Sequence, residues 1–545
     1  MTDVLIPPEI ALADGFAARV ARWAEASGAP TETLAALRGV ARAVSLATDA
    51  GHVCADLAEI AREPGAANAA ALRDALLAST MAGTPEFPRA MPLIVDADGR
   101  VYLHRYFDYE RRLARRLHAS PLTIISGGPG TGKTTMVAKL IAQALIDDPA
   151  CRIALAAPTG KAAARMQEAL LAAASGIPEA LRPRFPVAAS TIHRLLGVLS
   201  DRRAFRHHAG NPLPVDLLVI DEASMLDLAL ATKLLEAMPR HSRVILLGDK
   251  DQLAAVESGA VFAELSAQPG EHVVWLTENF RFAADSSIGR LAAHVRNGDV
   301  PAASELLRAG NDPALRWIED AQVVPAASTR EAILAGITHY VQAARAPGVE
   351  PAELHAAFAR FRVLCAERNG PRGVMSINAL LAQAFREAIA HPLDPGPRSD
   401  WFPGRPVMVL RNEYVLKLYN GDVGVVWPDA TGALMVYFPE PGGGLRAVSP
   451  LRLPEHETAF AMTVHKAQGS EFDDVLLLLP AQPTRVVTRE LVYTAVTRAR
   501  RGVTIVGSME VVETAVRSPT RRYSGLIARL AEAQRSSLPA QLSMP

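Results

Sequence analysis

The string GGPGTGKT (127–134) constrains this chain more than any other feature of its sequence. It follows the apolar run LTIIS and precedes TTMVAKLIAQAL, so a strand, a glycine-rich loop and a helix are predicted in that order. Glycines let backbone N–H groups curl around phosphate oxygens, and the lysine reaches the β- and γ-phosphates. We therefore predict a nucleotide-binding loop whose members are Gly127, Gly128, Pro129, Gly130, Thr131, Gly132, Lys133, Thr134 and Thr135.

An acidic pair completes the predicted site. In LLVIDEASM (217–225), Asp221 and Glu222 end a second apolar run. Such a pair alone is usually a solvated strand end, but after a phosphate-binding loop it indicates nucleotide hydrolysis. We predict that Thr134 and Asp221 hold Mg²⁺, that Glu222 orients or deprotonates the attacking water, and that Lys133 is catalytic.

Short apolar runs alternate with helical stretches over most of the chain. LTIIS, RIALAA, LLVID, RVILLG and HVVWLT lie between residues 122 and 277, and FRVLCA, PVMVLR, FAMTVH, DVLLLLP and VTIVG lie between 361 and 507. Runs of this kind, separated by helices, are typical of parallel sheets covered on both faces. The fold class is therefore predicted as α/β, with a first domain at 116–290 and a second at 291–545.

Two further regions differ in pattern. Residues 1–115 are rich in Ala and Leu at helical spacing and are predicted to form a helical N-terminal domain that contacts a partner. Residues 412–457 contain short strands separated by Gly and Pro, and we predict a small β-barrel inserted in the second α/β domain.

Composition excludes several classes of protein. The chain has 545 residues, 49% hydrophobic and 21% charged, which is the balance of a folded globular protein. Its 57 basic and 57 acidic residues exclude a uniformly basic surface for nucleic acid, although not a local basic patch. The N-terminal string MTDVLIPPEI lacks the pattern of a secretory signal, and no long apolar stretch follows, so we expect a cytoplasmic protein.

Residues from both α/β domains are predicted to meet at the nucleotide. Gln252 in LLGDKDQL follows a strand and is expected to sense the γ-phosphate. Arg281 in LTENFR and Arg498 in YTAVTRARRG carry charge that stabilises a phosphoryl-transfer transition state when it is well placed. An isolated arginine is more often a surface residue, but one such residue in each domain favours a nucleotide bound in the cleft between them.

The ordered strings GGPGTGKT, APTGKAAARM, STIHRLLG, VIDEASM, LLGDKDQLAAVESGAVF, TENFR, AMTVHKAQGSEFDDV and LVYTAVTRAR resemble those of superfamily 1 DNA helicases, and within them the RecD family. The resemblance covers nearly the whole chain. It implies two RecA-like motor domains, an SH3-like character for the inserted barrel, ATP with Mg²⁺ as cofactors, and 5′→3′ movement along DNA. It also implies RecB and RecC as partner subunits, work on single strands and duplex ends, and no nuclease site in this chain.

The same resemblance assigns contacts with single-stranded DNA. The residues concerned are Pro158, Thr159, Thr191, His193, Thr463 and His465. Hydroxyls and imidazoles grip phosphates without reading bases, as a sequence-independent motor requires. Thr159, Thr191 and His193 have the alternative role of capping helix starts. Gln468 is expected to bind nucleotide and, with Glu471, to couple the nucleotide side to the DNA side.

One departure leaves alternatives open. RecD relatives have a Gln upstream of the phosphate loop that reads adenine, but no Gln lies between residues 90 and 140 here. Tyr106, Tyr109 or backbone groups are the candidates to replace it. Besides a helicase subunit, the sequence is compatible with a stand-alone RecD-like helicase. It is also compatible with a nucleotide-binding regulatory subunit that unwinds weakly.

Overall fold

A computed structural model of the chain describes residues 7–88, 90–199, 204–268, 270, 272–278, 280–281, 286–396, 399–413, 415–440 and 443–537. Within these residues the chain forms an N-terminal module, two α/β domains and a small antiparallel sheet. None of the described helices is both long and apolar enough to cross a lipid bilayer.

The N-terminal module combines helices with a small sheet. Its elements are α1 (Pro8–Ala26), α2 (Thr31–Asp49), β1 (Cys54–Asp56), α3 (Leu57–Ile60), α4 (Ala69–Ala78), β2 (Ala82–Gly83), β3 (Leu93–Val95) and β4 (Arg100–Leu103). Val20, Leu37 and Val40 are buried between the first two helices, at the spacing that the sequence pattern indicates. The prediction of a helical domain is therefore incomplete, because the strands form a sheet in the order β1–β4–β3–β2.

The first α/β domain follows α5 (His104–His118). Its elements are β5 (Leu122–Gly127), α6 (Lys133–Asp147), β6 (Ile153–Ala157), α7 (Gly160–Ala174), β7 (Ala189–Thr191), α8 (Ile192–Leu196), β8 (Val198–Leu199), β9 (Ala204–Phe205), β10 (Leu217–Ile220), α9 (Leu228–Glu236), β11 (Arg243–Gly248), α10 (Val261–Ser266) and β12 (Val273–Leu276). One parallel sheet has the order β12–β5–β11–β10–β6–β7, and β8 and β9 form a separate hairpin.

The second α/β domain begins with helices. Its elements are α11 (Ser287–Asn297), α12 (Val300–Ala309), β13 (Leu315–Ile318), α13 (Ala327–Gly336), α14 (Thr338–Arg345), α15 (Pro351–Ala359), β14 (Phe361–Cys365) and α16 (Val374–Ile389). An antiparallel sheet then interrupts it, with β15 (Pro406–Val409), β16 (Val423–Pro428), β17 (Leu434–Pro439), β18 (Leu445–Val448) and β19 (His456–Thr458). The domain resumes with β20 (Ala461–Thr463), β21 (Phe472–Leu478), α17 (Arg489–Val496), β22 (Ala499–Val506), α18 (Met509–Arg517) and α19 (Leu526–Ser537).

The strands of this second half fall into two sheets. The parallel sheet has the order β13–β22–β21–β14–β20, and the antiparallel sheet has the order β18–β17–β16–β15–β19. The prediction that PVMVLR (406–411) belongs to the parallel sheet is wrong, because β15 pairs antiparallel with β16 and β19. The antiparallel sheet therefore begins before residue 412, and its last strand ends at Thr458. We call it the small β-sheet below.

Parallel strands place their carboxyl ends at one edge of each sheet, where ligands bind in folds of this kind. At that edge of the first α/β domain lie the phosphate-binding loop after β5, the acidic pair after β10 and Asp249 after β11. The predicted α/β class with parallel sheets is confirmed.

Candidate nucleotide-binding cleft

The loop between β5 and α6 has the backbone that its glycines permit. Gly130 and Gly132 have φ of 81° and 77°, in the left-handed region that glycine enters at little cost. The Lys133 ammonium donates to the carbonyl of Gly127 at 2.5 Å and to that of Gly128 at 2.9 Å. The lysine is thus held within the loop, at the N-terminus of a helix that favours anions.

The acidic pair stands beside this loop. Asp221 directly follows β10, and its backbone N–H bonds to Ala156 of the neighbouring strand at 3.0 Å. Glu222 has φ of 51°, a strained backbone for a residue with a side chain, and its N–H donates to the Asp221 carboxylate at 2.8 Å. Burial and the Glu222 charge raise the pKa of Asp221, while Lys133 opposes that shift. A bound cation would keep Asp221 ionised.

A buried hydrogen-bond chain joins the two α/β domains at the cleft. The Gln252 amide donates to the Asp249 carboxylate at 3.0 Å, and the Arg498 guanidinium donates to the Gln252 amide oxygen at 2.9 Å. All three side chains are at most 5% exposed. Burial raises the pKa of Asp249 and lowers that of Arg498. Two of the residues predicted from the sequence, Gln252 and Arg498, are therefore in direct contact in the structure.

Tyr493 is a site residue that the sequence reasoning missed. Its hydroxyl donates to the Asp249 carboxylate at 3.0 Å, and a Cβ placed on Gly128 would lie 2.9 Å from that hydroxyl oxygen. The second domain therefore reaches the phosphate-binding loop itself. No local pattern singled it out, although the next residue, Thr494, also contacts the first domain. The Thr494 hydroxyl accepts a hydrogen bond from the Leu253 N–H at 2.9 Å.

Glu471 lies among arginines from both domains. Its Oε1 accepts hydrogen bonds from Arg165 and, at 2.5 Å, from Arg281. Its Oε2 accepts from Arg500 at 3.0 and 3.1 Å. Burial opposes ionisation, but the charges of Arg165 and Arg281 lower the pKa of Glu471 to about 2. Arg165, from the first domain, is a second residue that the sequence reasoning missed.

These groups surround a cleft of about 1150 Å³ between the two domains. Its lining residues are Pro129, Gly130, Thr131, Gly132, Lys133, Thr134, Thr135, Met136, Lys139, Ala162, Arg165, Met166, Glu168, Ala169, Asp221, Glu222, Asp249, Gln252, Leu276, Phe280, Arg281, Gly469, Glu471, Arg498 and Arg500. Cations and carboxylates are mixed in this wall, as a site for a magnesium–nucleotide complex requires.

Phe280 is the aromatic side chain at the cleft. Its ring is 71% exposed and lies 3.6 Å from the position of a Cβ on Gly132, while its N–H bonds to Gly130 at 2.9 Å. Tyr106 and Tyr109, the residues considered for an adenine contact, instead pack at the core beneath α5. Gln468 is buried and donates to the Leu253 carbonyl at 2.7 Å, behind the cleft wall, so its nucleotide contact stays a prediction.

The residues predicted to contact DNA lie at strand ends outside the cleft lining. Pro158 and Thr159 follow β6, and Thr191 ends the adjacent β7, where it lies beside Ala157. Thr159 and Thr191 cap α7 and α8 through bonds of 3.2 Å to Ala162 and Arg194. Their capping role is therefore present in the structure.

The remaining predicted DNA contacts are a threonine and two histidines. Thr463 ends β20, the edge strand of the second parallel sheet, and accepts from the Lys466 N–H at 3.3 Å. Burial lowers the pKa of His193 and of His465, and it therefore favours the neutral form of both imidazoles. Any contact of these rings with phosphate would be a hydrogen bond rather than an ion pair.

Comparisons with known proteins agree with this arrangement. A family model described as AAA domain matches residues 108–319, and one described as UvrD-like helicase C-terminal domain matches residues 458–506. The RecBCD enzyme subunit RecD of Mycolicibacterium smegmatis is 42% identical over 434 residues, which are 78% of this chain and 75% of that protein.

Two more distant proteins are similar to the chain. The ATP-dependent RecD2 DNA helicase of Deinococcus radiodurans is 33% identical over 414 residues, which are 75% of this chain and 50% of that protein. Among solved structures, a chain from a structure of DNA unwinding at forked duplex DNA by Pif1 helicases has 16% identity and a TM-score of 0.41. That match covers 79% of this chain and 97% of the Pif1 chain.

Proposed function

The chain belongs to the RecD family of RecBCD enzyme subunits, and from that membership we propose that it is an ATP-dependent DNA helicase that moves 5′→3′ along a single strand. Within a RecBCD complex it would work beside RecB and RecC on the ends of broken duplex DNA, in the cytoplasm. The structural observation that carries the proposal is the Gln252–Arg498 hydrogen bond, because it joins the two α/β domains at the cleft that the phosphate-binding loop also lines.

ATP hydrolysis is assigned to the residues of the cleft. Lys133 and the loop N–H groups would bind the β- and γ-phosphates, since they lie together at the N-terminus of α6. Glu222 would orient the attacking water or take its proton. Arg281 and Arg498 would face the negative charge that spreads over the γ-phosphate in the transition state, and Gln252 would report its loss.

The residues around Asp221 fit a magnesium ion. The donors are the Thr134 hydroxyl and the Asp221 carboxylate, both at the cleft, and Mg²⁺ prefers oxygen ligands of this kind. The Asp221 carboxylate is buried beside Glu222, so a cation bound there would stabilise its ionised form. When bound, the ion would neutralise negative charge on the phosphates. Thr134 and Asp221 would position it.

Base contact is proposed for Phe280. Its exposed ring lies beside the phosphate-binding loop, and stacking on an aromatic ring does not distinguish bases strongly. This contact replaces the upstream Gln of relatives without restoring a hydrogen bond to adenine. We therefore expect the chain to hydrolyse ATP and, less efficiently, other nucleoside triphosphates.

Movement follows from closing and opening of the cleft. ATP would favour the closed arrangement because Arg498, from the second domain, meets its phosphates only when the domains are together. The strand would be held at Pro158, Thr159, Thr191 and His193 of the first domain and at Thr463 and His465 of the second. Each group sits at the carboxyl end of a strand at or next to the sheet edge. Alternating grip at these two places advances the chain along DNA.

The first test measures ATP hydrolysis by the purified chain with and without single-stranded DNA. We expect strong stimulation by DNA in the unchanged protein and none in Lys133→Ala, which removes the loop ammonium. Lys139→Ala is the matched control, since Lys139 lies one and a half turns further along α6 at the cleft rim. Nucleotide binding without stimulation, also after addition of RecB and RecC, would contradict a motor function and favour a regulatory subunit.

A second test separates a RecBCD subunit from a stand-alone helicase. The RecD family membership predicts that the chain co-purifies with RecB and RecC as a stable heterotrimer. Vigorous unwinding of a 5′-tailed duplex by the isolated chain, without binding to either partner, would instead favour the stand-alone class. A 3′-tailed duplex of the same sequence tests the polarity, and we expect it not to be unwound.

A further inference from the structure

Helix α7 connects Thr159, a predicted contact with single-stranded DNA, to the nucleotide cleft. Its first turn begins after Thr159, and a Cβ on Gly160 would lie 2.9 Å from the Tyr419 Cβ of the small β-sheet's connecting loop. The Ala162 side chain faces Gly469 of the second α/β domain, 3.6 Å from a Cβ placed there. The beginning of α7 is therefore the place where the first domain, the second domain and the small β-sheet region meet.

Arg165 lies one turn further along the same helix. Its guanidinium donates to the Gly469 carbonyl at 3.0 Å and to the Glu471 carboxylate, both in the second domain. Six residues of α-helix span about 9 Å, so a shift of Thr159 along the helix axis is transmitted to Arg165 with little loss. The side chain is 36% exposed, while Glu471 is 9% exposed, so the ion pair is shielded mainly on its acidic side.

Arg165 and Arg281 share a single oxygen atom. Both donate to Oε1 of Glu471, while Arg500, from the same domain as Glu471, bonds to Oε2. Three guanidinium groups against one carboxylate leave an excess of positive charge at this point of the cleft. A bound triphosphate would attract the Arg281 guanidinium, and Oε1 of Glu471 would then be bonded by Arg165 alone.

Resting on the function proposed above, we propose that Arg165 is a positioning residue that couples DNA binding to the nucleotide cleft through Glu471. The bound DNA strand displaces the beginning of α7, and Arg165 transmits this displacement to Glu471. The position of Glu471 then determines how readily the Arg281 side chain turns to the γ-phosphate. Coupling of this kind is reciprocal: nucleotide must change the affinity for DNA by the factor by which DNA changes the affinity for nucleotide.

The test measures that factor directly. The dissociation constant for single-stranded DNA is determined with and without a non-hydrolysable ATP analogue, for the unchanged chain, Arg165→Ala, Arg165→Lys and Arg500→Ala. We expect the analogue to change the DNA affinity of the unchanged chain by about fivefold or more. Arg165→Ala should bring that ratio close to one and should lower the DNA stimulation of ATP hydrolysis correspondingly.

Two variants separate coupling from simple support of the interface. Arg500→Ala removes a guanidinium from the same carboxylate but from its own domain, so we expect it to retain the ratio within about twofold. Arg165→Lys keeps the charge but lacks the planar guanidinium that spans the Gly469 carbonyl and the Glu471 carboxylate, so partial recovery is expected. Thermal melting of each variant checks that it is folded.

The outcomes distinguish this inference from the proposed function. If the unchanged chain shows neither DNA-stimulated hydrolysis nor a nucleotide effect on DNA affinity, the motor function fails and the coupling role fails with it. If the unchanged chain shows both and folded Arg165→Ala keeps the full ratio, only the role of Arg165 is overturned. A loss of coupling equal in Arg165→Ala and Arg500→Ala would also overturn it, because any charge beside Glu471 would then suffice.

Discussion

Each parallel sheet contains an interior strand that leads through a loop into a helix, but only one of these two loops lies at the nucleotide cleft. In the first α/β domain, β5 leads through a glycine-rich loop into α6. In the second, β14 leads through AERNGPRG (366–373) into α16. Both loops leave the carboxyl end of an interior strand, where a ligand is expected in an open α/β sheet. The first loop lies at the nucleotide cleft, and the second does not.

In the second sheet, side chains of the protein occupy the corresponding edge, at the carboxyl ends of the strands. Arg372 is 5% exposed and donates to the carbonyls of Leu479 and Gln322 at 2.6 and 2.9 Å. It also pairs with the buried Asp320 at 3.1 Å. The guanidinium thus bonds to the chain at the ends of β21 and β13, at the edge where the first sheet exposes loop N–H groups.

The comparison shows how one fold serves two purposes. The second domain contributes to the cleft through other elements: the segment after β20 supplies Glu471, and α17 and the segment after it supply Tyr493 and Arg498. In the proposed function, only the first sheet binds the phosphates, and the second domain closes on them. What is shared is the edge-strand threonine, Thr191 at the end of β7 and Thr463 at the end of β20. A motor that grips DNA alternately needs that feature twice.

The largest effect is expected from Arg498→Lys. If the second sheet acts on the nucleotide through this residue, turnover should fall by about 10³-fold or more. Lysine cannot keep both the Gln252 contact and a planar approach to phosphate oxygens. The fall in turnover is measured as steady-state ATP hydrolysis with saturating DNA. Arg501→Lys, at an exposed position, is the control. Near-normal turnover in Arg498→Lys would mean that the second domain lines the cleft without contributing to catalysis through this residue.

Glu222→Gln tests the other side of the comparison, the chemistry assigned to the first sheet alone. Turnover should fall by about 10²–10⁴-fold because a positioned base is lost, while the affinity for ATP is retained. Turnover and equilibrium nucleotide binding are measured on the same preparation. Glu168→Gln, an exposed acid at the rim of the cleft, should stay within a few-fold of the unchanged chain. A loss of binding in Glu222→Gln would contradict a purely chemical role.

Arg372→Met tests whether the edge of the second sheet is structural. Removing one partner of a buried ion pair leaves Asp320 uncompensated and should cost about 3 kcal/mol of stability. Asp320 keeps its bonds from Ala326 and Thr329, at 3.0 and 2.6 Å, which limits the loss. Chemical denaturation measures it, with turnover at permissive temperature expected to be unchanged.

Arg368→Met is the matched control in the same loop. Arg368 is 52% exposed and pairs with Glu457 at 3.1 Å, so its loss should cost less than about 1 kcal/mol. A raised KM for ATP in Arg372→Met, without loss of stability, would mean that this edge also serves the nucleotide.

Sequence patterns predicted the elements around the cleft where the signal is local. The glycine string, the acidic pair and most interior strands of both parallel sheets follow from residues adjacent in sequence. The strand β13 was missed because it has only four residues and Arg316 interrupts its apolar run at the sheet edge. The run 406–411 was placed in the wrong sheet, because a short apolar run reads the same in a parallel and in an antiparallel setting.

The missed site residues have a different physical reason. Arg165 and Glu471 are 306 positions apart, and Tyr493 lies 244 positions from Asp249, so nothing in the local pattern relates them. Their roles arise only when the two domains close. The sheet of the N-terminal module was missed because its strands have two to four residues, too few to show a period.

The smallest effect, and the finest test of the comparison, is expected from Tyr493→Phe. Its hydroxyl is the group by which the second domain touches both Asp249 and the loop at Gly128. Losing one hydrogen bond to a buried carboxylate costs about 1.5 kcal/mol, which corresponds to about a tenfold fall in kcat if the bond forms as the cleft closes. The KM for ATP should change little, because the loop itself is intact.

Tyr340→Phe provides the matched loss of a hydroxyl. The Tyr340 hydroxyl donates to the Gly404 carbonyl at 2.8 Å, equally buried but within the second domain. Both variants lose a buried bond, so they should melt at similarly lowered temperatures, yet only Tyr493→Phe should lose turnover. Equal stability losses with equal turnover would show that the Tyr493 bond merely supports the interface. A selective fall in kcat would mean that the second sheet, which has no phosphate-binding loop at its own edge, acts at the loop of the first through this one hydroxyl.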